Sequence, residues 1–133
     1  MLVRCSSASL YVEGGPTALK GTASATANVL ADAVKNGGYD GLFLDIPKLQ
    51  KDKRAALVRL VRETNTALGD KLLYVMAEAP SQQGRKYDGY EYYELGALAD
   101  KLVLRLQPYA ADTTTVLTTA RFGNIYCSCL CCW

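Results

Sequence analysis

Histidine is absent from this 133-residue chain, and with it the most common general base and the most common zinc ligand in proteins. No run of about 18 apolar residues is present, so the sequence predicts no membrane-spanning helix. The net charge is only +2, which is too small to indicate a nucleic-acid-binding surface. Gly14 and Gly15 lie outside any glycine-rich phosphate-binding pattern, so no nucleotide or other cofactor is expected. Any catalysis must depend on carboxylates, tyrosine, lysine or cysteine.

Cysteine is nearly absent until the end of the chain. Cys5 stands alone, whereas Cys127, Cys129, Cys131 and Cys132 all lie within the last seven residues. Thiolates bind soft metals, but this spacing lacks the turn between ligand pairs that structural zinc sites use. We therefore interpret residues 111–133 as an irregular tail, of the kind that translation out of frame produces. Metal binding through these thiols is the alternative.

A repeat organises the rest of the sequence. Three short apolar segments begin 30 residues apart, at Leu42, Leu72 and Leu102, and the last two each follow an Asp-Lys pair. This length accommodates one buried strand, one amphipathic helix and two loops, which is the unit of a parallel βα array. Because such sheets place their chemistry at the carboxyl ends of the strands, the residues at those ends are the candidates for a site.

The pattern predicts an α/β domain over residues 1–110, in which four strands alternate with three helices. Strands are predicted at 9–13, 42–46, 72–77 and 102–107, and helices at about 23–36, 50–68 and 90–99. Gly37 is predicted to end the first helix in the left-handed conformation, and Gly69 to end the second. The lysines and arginines of residues 51–62 are predicted to form a solvated helix face.

The motifs in this order resemble the glycoside hydrolase family 18 barrel, which is the fold of chitinases and related cell-wall hydrolases. The fourth strand of that family carries Asp-Gly-x-Asp-x-Asp-x-Glu, and the matching stretch is Asp40-Gly41-Leu42-Phe43-Leu44-Asp45-Ile46-Pro47. The third strand often ends in Ser-x-Gly-Gly, where this chain has Val12-Glu13-Gly14-Gly15. The resemblance covers about residues 9–109 and implies strands three to six of a (β/α)8 TIM barrel. It also implies an extracellular or cell-wall location.

Departures from the family pattern bear on activity. The resemblance implies that the last Glu of the signature is the catalytic acid, but Pro47 stands there and has no proton to give. Phe43 replaces the first inner Asp, so only Asp45 is kept. The sixth-strand Met-x-Tyr-Asp motif falls on Arg105-Leu106-Gln107-Pro108 or on Gln107-Pro108-Tyr109, and neither match is intact. We therefore expect a chitinase-like domain that binds an N-acetylglucosamine-containing polymer and lacks hydrolase activity.

Two carboxylates and one arginine remain as candidates for chemistry. Strand alternation and the resemblance place Asp45 and Arg105 near each other inside the barrel, and a structural ion pair is the preferred interpretation. Glu78 follows the intervening strand. Asp45 and Glu78 would form the acid/base pair of an active hydrolase if their carboxyls lay about 5 Å or about 6.5–9.5 Å apart. The alternative for Glu78 is a cap on the following loop.

Tyrosines concentrate in the last two repeat units, and aromatic faces stack well against sugar rings. Tyr109 is the preferred sugar contact, whereas Tyr92 and Tyr93 are also explained by half-buried packing on their helix. The predicted substrate-binding residues are Tyr109, Gln107, Arg105, Phe43 and Glu13.

Overall fold

The sheet is parallel throughout, as seen in a computed structural model that describes residues 8–79 and 87–105 and the backbone of residues 125–128. Its strands are β1 (Ser9–Glu13), β2 (Gly41–Asp45), β3 (Leu72–Glu78), β4 (Lys101–Arg105) and β5 (Ile125–Ser128). They lie side by side in chain order, so each strand pairs with the strands next to it in the chain. This is the parallel βα array that the repeat predicts.

Three α-helices connect the first four strands: α1 (Ala23–Asn36), α2 (Arg54–Leu68) and α3 (Tyr92–Leu98). Short 3-10 helices precede the first two, at Pro16–Leu19 and Lys51–Lys53. Each α-helix lies within its predicted range, and α3 is shorter by two residues at its start and by one at its end. Within the described ranges, none of the helices is both long enough and apolar enough to cross a bilayer.

The helices cover one face of the sheet, and the hydrophobic core lies between them and that face. Alternation along the strands points Leu42, Leu73 and Leu102 into this core, where each is fully buried. Burying a leucine side chain contributes about 1.5–3 kcal/mol, so this layer supplies much of the stability. The opposite face of the sheet carries the odd-numbered residues of β1, β2 and β4, and it is only partly covered.

The end of α1 differs from the prediction by one residue. Gly37 keeps a helical φ of −79°, and its amide donates to the Ala33 carbonyl at 3.0 Å. Gly38, with φ of 68°, is the residue in the left-handed conformation. The Gly38 and Tyr39 amides donate to Lys35 and Val34, which is the Schellman pattern, so the reversal comes only after Gly37 completes its helical bond. Gly69, with φ of 61°, ends α2 as predicted.

The sheet also has a strand that the sequence analysis missed. β5 lies within the segment interpreted as irregular, and that interpretation is wrong for these four residues. Its backbone pairs in parallel with β4, from Leu102 opposite Ile125 to Arg105 opposite Ser128. Without β5, the outer edge of β4 would expose unpaired amides and carbonyls, which can pair with a further strand. This pairing favours a strand at β5 even though the sequence pattern there is weak.

Close contact between β2 and β3 yields a stability prediction. A Cβ added at Gly41 would lie 2.6 Å from the Leu72 carbonyl oxygen, so we expect Gly41→Ala to destabilise the fold by about 1–3 kcal/mol. Gly96→Ala is the matched control, because a Cβ there meets nothing within 4 Å and alanine favours helix by up to about 1 kcal/mol. Urea unfolding followed by circular dichroism measures both changes. An unchanged midpoint for Gly41→Ala would contradict this packing.

Candidate functional site

Three charged side chains meet on the partly covered face of the sheet, at the carboxyl edge. Asp45, Glu78 and Arg105 are the last residues of β2, β3 and β4. Arg105 Nη1 donates to Glu78 Oε1 at 3.0 Å, and Arg105 Nη2 contacts Asp45 Oδ2. The register places Glu78 directly opposite Arg105. The expected proximity of Asp45 and Arg105 is therefore confirmed, and Glu78 joins them in what we call the ion triad.

Burial makes the ion triad electrostatically important. Asp45 is 1% exposed and Glu78 is 5% exposed, so each carboxylate is largely removed from water. Burial alone would lower the pKa of Arg105, but the charges of Asp45 and Glu78 and their hydrogen bonds outweigh it and raise that pKa. A buried charge without a partner costs several kcal/mol, so the shared guanidinium is what allows both carboxylates to be buried.

Tyr11 on β1 adds a further hydrogen bond to the ion triad. Its hydroxyl donates to Asp45 Oδ2 at 2.6 Å. This hydrogen bond, with burial and the negative charge of Asp45 adding to it, raises the pKa of Tyr11 to about 12. Asp45 Oδ1 is buried and accepts no hydrogen bond from the described part of the chain. The sequence analysis missed Tyr11, although strand alternation aligns it with Glu13, which it had selected.

An aromatic row lies beside the ion triad, two residues further from the carboxyl edge. Tyr11, Phe43 and Tyr74 are register partners on adjacent strands, with ring centroids 5.6 Å apart for the first pair and 6.3 Å for the second. The Lys101 ammonium lies 5.8 Å from the Tyr74 ring centroid. Such tilted pairs contribute about 0.5–1.5 kcal/mol beyond their buried area. Phe43 is therefore part of a packed row, and sugar contact by Phe43 remains a prediction.

The loop after β2 carries Pro47 and is held from one side by Tyr90. The Tyr90 hydroxyl donates to the Ile46 carbonyl at 2.7 Å and accepts from the Leu49 amide at 3.3 Å. The Gly89 amide donates to the Leu49 carbonyl at 2.9 Å. Burial is the main reason that the pKa of Tyr90 is raised. Tyr90 thus belongs to the core and fixes the loop, and is not a surface platform for a sugar.

The other site residues predicted from the sequence do not all lie beside the ion triad. Glu13 is exposed at the end of β1, in register with Asp45. Tyr92 is half-buried as expected and donates to the Glu78 carbonyl at 2.6 Å, whereas Tyr93 is 75% exposed and is not packed. Gln107, Tyr109 and the cysteine side chains lie outside the described residues. Within the part of the chain that the structure describes, no three potential metal ligands cluster.

No protein-family model and no curated protein sequence matches this chain, so the comparison depends on solved structures. A chitinase of Chromobacterium violaceum matches 91% of this chain and 48% of its own, with a TM-score of 0.77 and 16% identity. A GH18 chitinase of Pseudoalteromonas aurantia matches 88% and 52%, with a TM-score of 0.67 and 20% identity. A class V chitinase of Pseudomonas fluorescens matches 72% and 34%, with a TM-score of 0.62 and 28% identity.

These matches identify the fold in two steps. The parallel sheet with helices between successive strands is part of a (β/α) barrel. More narrowly, the barrel is of the glycoside hydrolase family 18 chitinase type, as the motif order predicted. This chain spans between 34% and 52% of the length of those three structures, so it corresponds to part of their barrels.

The ion triad yields a second prediction. Arg105→Met removes the shared cation and leaves two buried carboxylates facing each other, so we expect a loss of about 3–5 kcal/mol in the free energy of unfolding at pH 7. The matched control is Arg62→Met, because Arg62 and Glu94 are 4.0 Å apart and both more than half exposed. That change should alter stability by less than about 1 kcal/mol. Equal midpoints for the two variants in urea would show that Arg105 does not hold the three strand ends together.

Tyr11 yields a third prediction, on pH dependence. The neutral phenol is the donor, so its contribution to stability is fully present below pH 10 and is lost as the pH rises through about 12. Asp45→Asn removes the negative charge, so the Tyr11 pKa should fall toward its ordinary value. NMR titration of tyrosine labelled at Cζ measures this, with Glu13→Gln as a control that removes a weaker charge effect. The same Tyr11 curve in wild type and Asp45→Asn would contradict the hydrogen bond.

Proposed function

We propose that this chain binds an N-acetylglucosamine-containing glycan at the carboxyl edge of its sheet and does not hydrolyse it. The fold supports the choice of ligand, because the structures it resembles are chitinases. In addition, the matched domain of an Ostrinia furnacalis chitinase was solved with an N-acetylglucosamine oligomer bound. A cell-wall or chitin-like polymer is the substrate class that this resemblance favours.

The ion triad is the observation that supports the second part of the proposal, the absence of hydrolysis. A glycosidase acid must hold a proton and deliver it to the leaving oxygen. A carboxylate that is already engaged by a guanidinium is held in place by that cation and is not free to meet the leaving oxygen. Asp45 and Glu78 are both paired in this way with Arg105. Pro47, which stands at the position of the family acid, has no ionisable group.

Glu13 does not replace the missing acid in this proposal. Its side chain is exposed at the end of β1. A carboxyl is kept protonated near neutral pH by apolar surroundings, as in glycosidases that place their acid in a hydrophobic pocket. Glu13 contacts water and therefore lacks apolar surroundings of this kind. We therefore assign Glu13 to hydrogen bonding with sugar hydroxyls, alongside Arg105 and Gln107.

Sugar binding in this proposal depends on aromatic stacking as well as on polar contacts. Tyr109 follows β4 in the chain by a few residues and supplies a flat apolar face with a hydroxyl at its edge. Phe43 lies on the same face of the sheet as the ion triad and contributes apolar surface beside it. Small-molecule sites commonly combine apolar walls with a few polar groups in this manner.

An active hydrolase is the second candidate function. One observation favours it: Arg105 brings Asp45 and Glu78 together at one edge of the sheet, and a hydrolase needs two carboxyls about 5 Å or about 6.5–9.5 Å apart. In that case one carboxylate would have to release Arg105 and take up a proton when substrate binds. The two candidates differ in whether the wild-type chain produces shorter oligomers.

One experiment tests binding and hydrolysis together. We expect calorimetric titration with the N-acetylglucosamine pentamer to show binding, and mass spectrometry of the same mixture to show no shorter oligomers. Tyr109→Ala should weaken binding about tenfold, because a stacking contact contributes on the order of 1 kcal/mol. Tyr93→Ala is the matched control, since Tyr93 is exposed on α3.

Each outcome has a defined meaning. Shorter oligomers that disappear in both Asp45→Asn and Glu78→Gln would replace our proposal by the active hydrolase. Absence of binding to the pentamer would overturn the glycan proposal. If wild type is inactive, Pro47→Glu and its non-acidic counterpart Pro47→Gln test whether the missing acid is the cause. Turnover in the glutamate variant alone would identify the acid as the missing group.

A further inference from the structure

A groove of about 350 Å³ lies between α2 and α3, on the side of the sheet opposite the ion triad. Three arginines of α2 line it: Arg54, Arg59 and Arg62. The sequence analysis predicted that these residues form a solvated helix face, and Arg59 and Arg62 are exposed. All three also line one concave surface together with two glutamates, so the lining carries three positive charges and two negative ones.

Arg54 forms a fixed wall of the groove. Its Nε and Nη2 donate to the Asp88 carbonyl oxygen at 3.1 and 2.9 Å. The Asp88 carboxylate lies 2.8 Å from Nη2, and Glu91 lies 3.2 Å from Nη1. These partners use most of the donors of Arg54. This guanidinium therefore holds the chain before α3 against α2 and is not the group that a ligand would engage.

Arg59 and Arg62 are the cations left to meet a ligand. They are three residues apart on α2, so their side chains are neighbours on one face of the helix. Among the described residues, no carboxylate forms an ion pair with Arg59, and Arg62 reaches Glu94 only at 4.0 Å. Arg62 and Glu94 are both more than half exposed, and such pairs contribute about 0–1 kcal/mol, so an incoming anion can displace Glu94 at little cost.

Ala55 and Val58 supply the apolar part of the groove, and Val58 is 7% exposed. The groove volume lies within the range of roughly 300–1,000 Å³ that small-molecule sites occupy. Two neighbouring guanidiniums match the oxygens of phosphate or carboxylate groups, which they bind in pairs of parallel hydrogen bonds. We propose that this groove binds a small molecule that presents an oxyanion group to Arg59 and Arg62 and an apolar part to Val58. The site is separate from the glycan site proposed above.

The probes are pyrophosphate and glutarate, which represent phosphate-bearing and carboxylate-bearing ligands. The backbone amide chemical shifts of α2 and α3 are measured by NMR as each probe is added at constant ionic strength. For at least one probe, the changes in chemical shift should saturate with a dissociation constant on the order of 1 mM. The Arg59→Gln/Arg62→Gln variant should weaken that binding about tenfold or more. The control variant Lys51→Gln/Lys53→Gln loses the same charge outside the groove and should change binding less than about twofold.

Glu94→Gln tests whether removing a negative charge from the groove strengthens binding of the probe. Because it frees Arg62 from its exposed partner, we expect about twofold to fivefold tighter binding. Glu63→Gln is the control, since Glu63 accepts a hydrogen bond from Ser24 outside the groove. The probe that saturates identifies the class of ligand. Failure of both probes to saturate, or equal weakening in the arginine and lysine variants, would overturn the proposal. Neither result depends on glycan binding.

Discussion

The Arg105 guanidinium is the group on which the carboxyl edge of this sheet depends. It bonds to Asp45 and Glu78, and so links the ends of three adjacent parallel strands through side chains. Backbone pairing alone would leave two buried carboxylates beside each other, each costing several kcal/mol. The edge where a barrel of this type places its chemistry is therefore occupied by a structural ion pair network. Tyr11 extends that network to a fourth strand.

The same interaction connects stability with function. The guanidinium that allows two carboxylates to be buried also holds both of them at the ends of their strands. In our proposal, Pro47 stands at the position of the family acid, and this edge is a surface for hydrogen bonding and stacking. The loop after β2, next to that surface, is held in place by hydrogen bonds from Tyr90 and Gly89. A rigid edge of this kind suits the function we propose, which is recognition of a glycan without cleavage.

Several elements show how much of the structure could be predicted from the sequence. The 30-residue repeat predicted strands, helices and their parallel order, because the spacing of apolar residues follows directly from strand and helix geometry. The position of the left-handed glycine was wrong by one residue, since Gly37 and Gly38 are equally suited locally and only the hydrogen bonds of α1 decide between them. β5 was missed because its own sequence pattern is weak and its pairing with β4 supplies the backbone hydrogen bonds. Tyr90 is one of the tyrosines that concentrate in the last two repeat units, and only the structure shows that its hydroxyl satisfies two backbone groups in the core.

The sequence by itself determined the alternation of strands and helices, the resemblance to the family 18 barrel, and the presence of Pro47 at the end of the stretch that resembles the family signature. These properties are local, because each depends on residues that are near one another in the chain. Only the tertiary structure decided that Glu78 shares Arg105 with Asp45, that Tyr11 donates to that carboxylate, and that Arg62 of α2 lies across a groove from Glu94 of α3. Such contacts depend on which strands and helices become neighbours, and the physical reason is that register and packing bring together side chains separated by 27 to 60 residues.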